Sequence, residues 1–216
     1  MARRKKEPEG FHRSQIAEAA ERLFLRQGIQ QTSMDSIAKE AGYSKSTVYI
    51  YYQNKEELVG ELVCQSMRLL HERFVRALQQ GGSIRKRYFG LCWALVEYQR
   101  QFPFYFEVTL GEINIDFTRP DSLPVEEATF EIGERINEEI ASVLMEGMDT
   151  GEFRKLDMPE TIFILWSALS GIILMAANKH AYIESVMGKS CEEFLDSGFH
   201  TLFHSIAKAD YERKEE

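Results

Sequence analysis

The 216-residue sequence predicts an all-α protein of about nine helices, and three observations predict it. Apolar residues recur at helical spacing nearly everywhere, as in Ile16, Ala19, Ala20, Leu23 and Phe24, which follow i, i+3, i+4, i+7, i+8. Residues that start and stop helices bracket these stretches: Ser33, Ser44 and Ser83 stand before them, and Gly28, Gly42 and Gly81-Gly82 after them. Alternating period-2 runs and Asn-Gly hairpin signals are missing.

The first helix is expected over about residues 12–27, stopped by Gly28. Thr32 and Ser33 can cap a short second helix that carries Ile37, Ala38 and Ala41 and ends at Gly42. Ser44 can cap a third, with Val48 and Tyr52 at i, i+4 spacing facing inward. Asn54 opens a fourth, with Glu57 at the third helical position in a capping-box-like arrangement, running to about Gln80. Ser83 opens an aromatic-rich helix to about Phe102, and Pro103 a shorter one through Leu110. Residues 114–124, with Pro120 and Pro124, read as a loop. Helices follow at about 125–149, 158–180 and 190–208, before a charged tail. The change of character after Leu58 divides the chain into a module at 1–57 and a larger helical domain at 58–216.

The net charge of −8 is unevenly spread. Residues 1–56 hold ten Lys/Arg against seven Asp/Glu, a net +3; the remainder holds 16 against 27, a net −11. A small basic module attached to an acidic body suggests that only the module faces a polyanion. Cys64, Cys92 and Cys191 are far apart and odd in number, neither a disulfide framework nor a zinc motif, which suits a reducing cytoplasm. Met1 to Gly10 is polar and basic and does not read as a signal peptide. Nucleophile elbow, glycine-rich phosphate loop, zinc signature and paired catalytic carboxylates are likewise missing, so no enzyme, catalytic residue or cofactor is expected.

Three short helices joined by tight turns are the minimum that holds one helix against DNA, with the third projecting its N-terminal residues into a major groove. The run Ser44-Lys45-Ser46-Thr47-Val48-Tyr49-Ile50-Tyr51-Tyr52 fits such a recognition helix. Its hydroxyls and its N-terminal amides suit phosphate oxygens, and an exposed Tyr49, Ile50 and Tyr51 would be wasteful on a surface without a partner. Residues 28–58 then resemble the signature of the tetracycline-repressor-like (TetR) family. The resemblance is carried by Gly28, Thr32-Ser33-Met34-Asp35-Ser36-Ile37-Ala38, Ala41-Gly42-Tyr43-Ser44-Lys45-Ser46-Thr47-Val48-Tyr49, Tyr51-Tyr52 and Asn54-Lys55-Glu56-Glu57-Leu58. Ser46 stands where the family often has glycine, and Tyr52 where it often has phenylalanine.

The resemblance implies a bacterial, cytoplasmic, dimeric repressor that binds a pseudo-palindromic double-stranded operator and is released by a small effector. It implies phosphate contacts from Thr32 and Ser33, groove contacts from Lys45, Ser46 and Thr47 beside the capping Ser44, backbone or base contacts from Tyr49 and Tyr51, and a phosphate contact from Lys55. N-capping alone is the competing reading for Thr32, Ser33 and Ser44, core packing for Tyr49, and a solvated side chain for Lys55. The basic arm Arg3, Arg4, Lys5, Lys6 either tracks a minor groove or adds only non-specific attraction.

For the larger domain the resemblance implies effector binding and dimerisation. The helix after Ser83 is apolar on several sides (Tyr88, Phe89, Leu91, Trp93, Val96), so it is either buried all round or borders a cavity. Trp93, Val96, Phe102, Phe106, Trp166 and Ser170 are candidate pocket residues. Such a lining suits an apolar or amphipathic effector, and Glu97 or Glu107, if turned inward, a cationic or amphipathic one. If the aromatic set is solid core, the chain is a DNA-binding regulator without an effector, acting constitutively or through a protein partner. Thr161 to Asn178 carries no charge, yet Ser167, Ser170, Gly171 and Asn178 interrupt it, so it reads as a helix buried on two sides rather than a membrane span. With the stripe Leu195, Phe199, Leu202, Ile206 it forms the expected dimer interface in the last two helices. Asp196, His200 and His204 share one flank of the last helix and read as a polar border rather than metal ligands.

Overall fold

The computed structural model describes residues 10–110 and 124–208, and the basic arm at Arg3–Lys6 lies outside them. Ten helices occupy the described residues: α1 (Phe11–Gln27), α2 (Met34–Ala41), α3 (Lys45–Tyr51), α4 (Lys55–Gln79), α5 (Ile84–Gln101), α6 (Pro103–Thr109), α7 (Pro124–Asp149), α8 (Met158–Asn178), α9 (His180–Ser185) and α10 (Cys191–Ile206). The all-α class holds, with one helix more than expected. The helix expected over 158–180 leaves helical geometry at Lys179 (φ −122°, ψ 22°), and α9 follows as a separate element. Six residues are too few to display a 3.6-residue period, so nothing in the pattern marked α9 off. Of the loop expected over 114–124, residues 114–123 lie outside the described residues, and Pro124 is the first residue of α7.

The chain divides into two compact units, residues 1–67 with 107–131, and residues 68–106 with 132–216. In the first, α1 packs on α2 and α3. Ile16, Ala19, Ala20 and Phe24 of α1 are at most 1% exposed, and Ile37, Val48, Tyr52 and Leu58 are equally buried. Each large apolar side chain so buried stabilises the unit by roughly 1.5–3 kcal/mol relative to exposure. Hydrogen bonds fix the helix ends: Gly28 N–H donates to Phe24 O at φ 82°, and Ser33 and Ser36 form a reciprocal capping box. At the start of α4, Asn54 Oδ1 accepts from the Glu57 amide at 2.8 Å, while Glu57 Oε2 accepts from Gln53 rather than from Asn54.

In the second unit, α5, α8 and α10 bury Leu91, Cys92, Leu95, Leu165, Ile173, Leu195, Phe199 and Phe203. Ser83, Asp157 and Ser190 cap the three helices through side-chain oxygens. Gly198 of α10 lets α8 approach closely: a Cβ there would lie 3.0 Å from Ile172 Cγ2. Gly147 of α7 likewise accommodates the Phe153 ring, which is fully buried and packs edge-on against Phe203. Helix α8 is long and apolar enough to cross a membrane by composition, but its inner face (Ile162, Leu165, Ile173, Ala176) is core. Its outer face leaves Phe163, Ile164 and Met175 more than half exposed, beside the exposed Ser167 and Gly171.

Candidate nucleic-acid interface and helical cavity

The helix-turn-helix is built around one tight turn. Gly42 adopts the left-handed conformation (φ 73°), Tyr43 N–H returns to Ala38 O at 2.9 Å, and Ser44 then caps α3 by accepting from the Thr47 amide at 3.1 Å. A left-handed residue that closes α2 favours glycine, since a Cβ there meets the following carbonyl. Val48 (0% exposed) and Tyr52 (1%) anchor α3 to the core, which turns Tyr49 (44%) and Ile50 (77%) outward. Ser44, Ser46 and Thr47 form a hydroxyl cluster at the opening of the helix, with Ser44 Oγ 2.8 Å from Ser46 Oγ and 2.7 Å from Thr47 Oγ1. The exposed side of α3 therefore offers hydroxyl donors, one ammonium, a phenol and a bare apolar side chain, the groups that suit phosphates, base edges and thymine methyls.

Two expected phosphate contacts are placed otherwise. Thr32 is buried (3%); its hydroxyl donates to Gly28 O at 2.8 Å and its amide to Ile29 O at 3.2 Å, so it braces the α1–α2 loop. Lys55 Nζ donates to Ile29 O at 2.8 Å and Thr32 O at 3.0 Å, clasping the same loop instead of standing free in solvent. Three backbone carbonyls left open by the irregular loop claim these donors, which no local pattern reveals. Ser33, Ser44, Ser46, Lys45 and Tyr49 are exposed, while Thr47 and Tyr51 are half-buried, the Tyr51 ring 5.8 Å from that of His12. Lys45 pairs with Asp35 of α2 at 2.7 Å, and this hydrogen bond raises the ammonium above its ordinary pKa.

Sequence reasoning did not single out Arg13. Its guanidinium donates to Tyr51 O at 2.7 Å, to Glu61 Oε2 at 2.8 Å and to Glu57 Oε1 at 3.1 Å, and lies 4.2 Å over the Tyr52 ring. Tyr52 Oη returns a bond to Arg13 O at 3.2 Å. Burial and the nearby Glu61 carboxylate push the Tyr52 phenol well above its ordinary range. This network ties α1, the end of α3 and the first turns of α4 together. Its other members lie 38 to 48 residues from Arg13, and the one local hint was the i, i+4 spacing of Glu57 and Glu61.

A cavity lies apart from most of the aromatic residues that were candidates for the effector site. A cavity of about 30 Å³ lies in the second unit among α4, α5, α7 and α8, walled by Phe74, Tyr88, Cys92, Leu95, Leu144 and Trp166 among others. Of the eight candidates only Trp166 lines it. Its indole N–H is fixed on Asn137 Oδ1 at 3.1 Å, and its ring stacks 6.4 Å from Phe74. Val96 and Phe106 are core; Trp93 stands edge-on to Phe199, and Phe102 packs against Tyr98 and Tyr105. Glu97 and Glu107 are exposed, Glu97 pairing with Arg73 at 3.2 Å, so neither supplies an internal anion. Ser170 is buried, and its hydroxyl has no hydrogen-bond partner. A helix apolar all round reads the same as solid core and as pocket wall, and α5 is both: Trp93 packs against Phe199 of α10, while Tyr88, Cys92 and Leu95 wall the cavity. Burial drives the Cys92 thiol on the cavity wall far above its ordinary pKa, which keeps it neutral.

Among the described residues no group of three His, Cys, Asp or Glu is placed to hold a metal ion. His200 Nδ1 sits 2.9 Å from Asp196 O, and the ring lies 4.4 Å from that of Phe89.

The sequence and the fold are similar to those of known regulators. Residues 16–62, from the core of α1 into α4, match the family described as bacterial regulatory proteins, tetR family. The chain is 24% identical over 195 residues to the fatty acid metabolism regulator protein of Bacillus subtilis, covering 86% of this chain and 94% of that one. Over 77 residues it is 40% identical to the HTH-type transcriptional regulator TtgR of Pseudomonas putida, 36% of each chain. The fold of the transcriptional regulator FadR from Bacillus subtilis, solved in complex with stearoyl-CoA, superposes with a TM-score of 0.66 at 19% identity, over 90% of this chain and 99% of that one. Residues 16–62 thus carry the helix-turn-helix of bacterial regulatory proteins of the tetR family, and the fold of the chain is similar to that of solved transcriptional regulators.

Proposed function

We propose that the chain is a homodimeric repressor that binds a pseudo-palindromic operator through α3 and leaves it when a small apolar molecule occupies the second unit. One observation carries the DNA half: α3 is capped and anchored on one side, yet presents Tyr49 and Ile50 to solvent. The contacts are Ser33 at the start of α2, then Ser44, Lys45, Ser46 and Thr47, then Tyr49 and Tyr51. Thr32 and Lys55 shape the loop that presents them. The dimer forms through the outer face of α8 with α10, where Phe163, Ile164 and Met175 leave apolar surface uncovered. The entirely apolar cavity beside Trp166 is the effector site, and the stearoyl-CoA bound by the Bacillus subtilis regulator supports an apolar chain as effector class.

A ligand of ordinary size needs roughly 300–1,000 Å³, so an effector must displace Trp166 and its neighbours from the 30 Å³ cavity. By linkage it then favours the enlarged, operator-incompetent state. The size of the cavity also favours a second reading, a regulator without a small-molecule effector. Selection of bound duplexes from a random pool, followed by titration of the complex with fatty acids and acyl-CoA esters, tests both halves. An inverted repeat released by acyl ligands is the expected result. Without sequence enrichment the DNA reading fails, and with enrichment but no release the second reading stands.

A further inference from the structure

We propose that Asp35 is a specificity-determining positioning residue, which converts the Lys45 ammonium from a phosphate counterion into a reader of a guanine edge. The proposal rests on the reading that α3 enters a major groove. The two side chains meet at 2.7 Å although 60% and 65% exposed, at the opening of α3 and on the first turn of α2. An exposed pair of this kind contributes little to folding. Asp35 is not needed as a cap either, because Ser33 and Ser36 already satisfy the start of α2.

Lys45 carries the only charge on α3. Most other described cations of the module are engaged away from that helix's exposed side: Arg13 on Glu57 and Glu61, Arg22 and Arg26 on Glu40, and Lys55 on loop carbonyls. Left to itself, Lys45 is a flexible point charge that follows any phosphate. A cation at a helix N-terminus also opposes the helix dipole, and the Asp35 carboxylate offsets that opposition. An ammonium has three donors. With one directed at Asp35, the other two are held on a fixed axis at the mouth of α3, the geometry that the paired O6 and N7 acceptors of guanine require.

The test compares the full-length parent with Asp35→Asn, Lys45→Met and the double variant. Each is used to select duplexes from a random pool and then titrated, over a range of salt, on the parent's selected operator and on a scrambled duplex. Asp35→Asn is expected to relax preference at one guanine in each half-site. It should lower the operator-to-scrambled affinity ratio about three- to tenfold and steepen the salt slope on scrambled DNA by about 1.8 per dimer, one phosphate's worth for each protomer. In the Lys45→Met background the same substitution should leave the base preference unchanged. The proposal is overturned if Asp35→Asn keeps the parent's motif and ratio, or if it shifts them equally with Lys45 absent. A parent that selects no motif at all overturns the DNA reading and this inference with it, whereas a specific parent with an indifferent Asp35→Asn overturns the inference alone. Both positions are exposed, so melting temperatures of all four proteins should coincide and exclude misfolding as the cause.

Discussion

Arg13→Ala removes one guanidinium that serves four partners at once. Glu57 and Glu61 are only 15% and 20% exposed, against 38% for Arg13, so the carboxylates are half-shielded and the cation partly hydrated. A fully buried hydrogen bond to a charged group contributes about 1.5–3 kcal/mol, and solvent at Arg13 reduces the two carboxylate contacts to about 1 kcal/mol together. The bond to Tyr51 O and the contact over the Tyr52 ring add about 0.5–1 kcal/mol each, and two unpaired carboxylates one turn apart repel by a few tenths. The whole change is about 2–3 kcal/mol, which in a chain of this length lowers the melting temperature by about 5–10 °C. Thermal denaturation followed by circular dichroism reads it. Arg13→Lys keeps the charge but not the planar fork, and is expected to recover about half. Because the network is partly shielded, most of the deficit should persist in high salt. An Arg13→Ala protein melting within about 1 °C of the parent, or a deficit that high salt abolishes, would refute this account of how α3 is held to α1 and α4.

Three further outcomes follow from the same structure. Lys55→Ala should destabilise the chain by about 1–2 kcal/mol by releasing the α1–α2 loop, while the salt slope of DNA binding stays at the parent's value; a slope lower by about 1.8 per dimer would instead show a phosphate contact from each protomer. Gly147→Ala puts a Cβ 2.2 Å from Phe153 Cδ2, a fully buried ring with no room to retreat. Overpacking there should cost about 1–3 kcal/mol in denaturant titration, and a neutral result would mean that Phe153 moves freely. The Ser190 amide and hydroxyl hold the Glu193 carboxylate below its ordinary 4.5. A depressed folded value means that its stabilisation is complete above 4.5 and is lost as pH falls through the folded value. The stability gap between parent and Glu193→Gln should therefore be present at neutral pH and close in acid, and a gap independent of pH would contradict the capping role.

The parts of the fold that were legible are those fixed within a few residues. Ser33, Ser44 and Ser83 cap helices because a short hydroxyl reaches an amide three residues on, and the α1 stripe is buried because its period matches the helix. The exposure of Tyr49 and Ile50 follows from the same logic once Val48 and Tyr52 are assigned to the core. What local pattern could not show is which side chains distant backbone would claim. Lys55 and Thr32 have the residue types of phosphate ligands, but loop carbonyls 23 or more residues before Lys55 engage its ammonium. Aromatic content pointed to a pocket around Trp93 and Phe106, whereas the cavity opens where α7 and α8 meet α4 and α5, around side chains as unremarkable in sequence as Leu95 and Leu144.

The central claim is that the outer face of α3 reads base edges, and repeating the duplex selection with Thr47→Ala and Tyr49→Ala tests it most directly. The account predicts an inverted repeat for the parent, with half-site centres about 10 base pairs apart or a multiple of that. Each variant should change preference at one symmetric position per half-site, with affinity for scrambled DNA and the salt slope unaltered. Recovery of the parent's motif by both variants would contradict it.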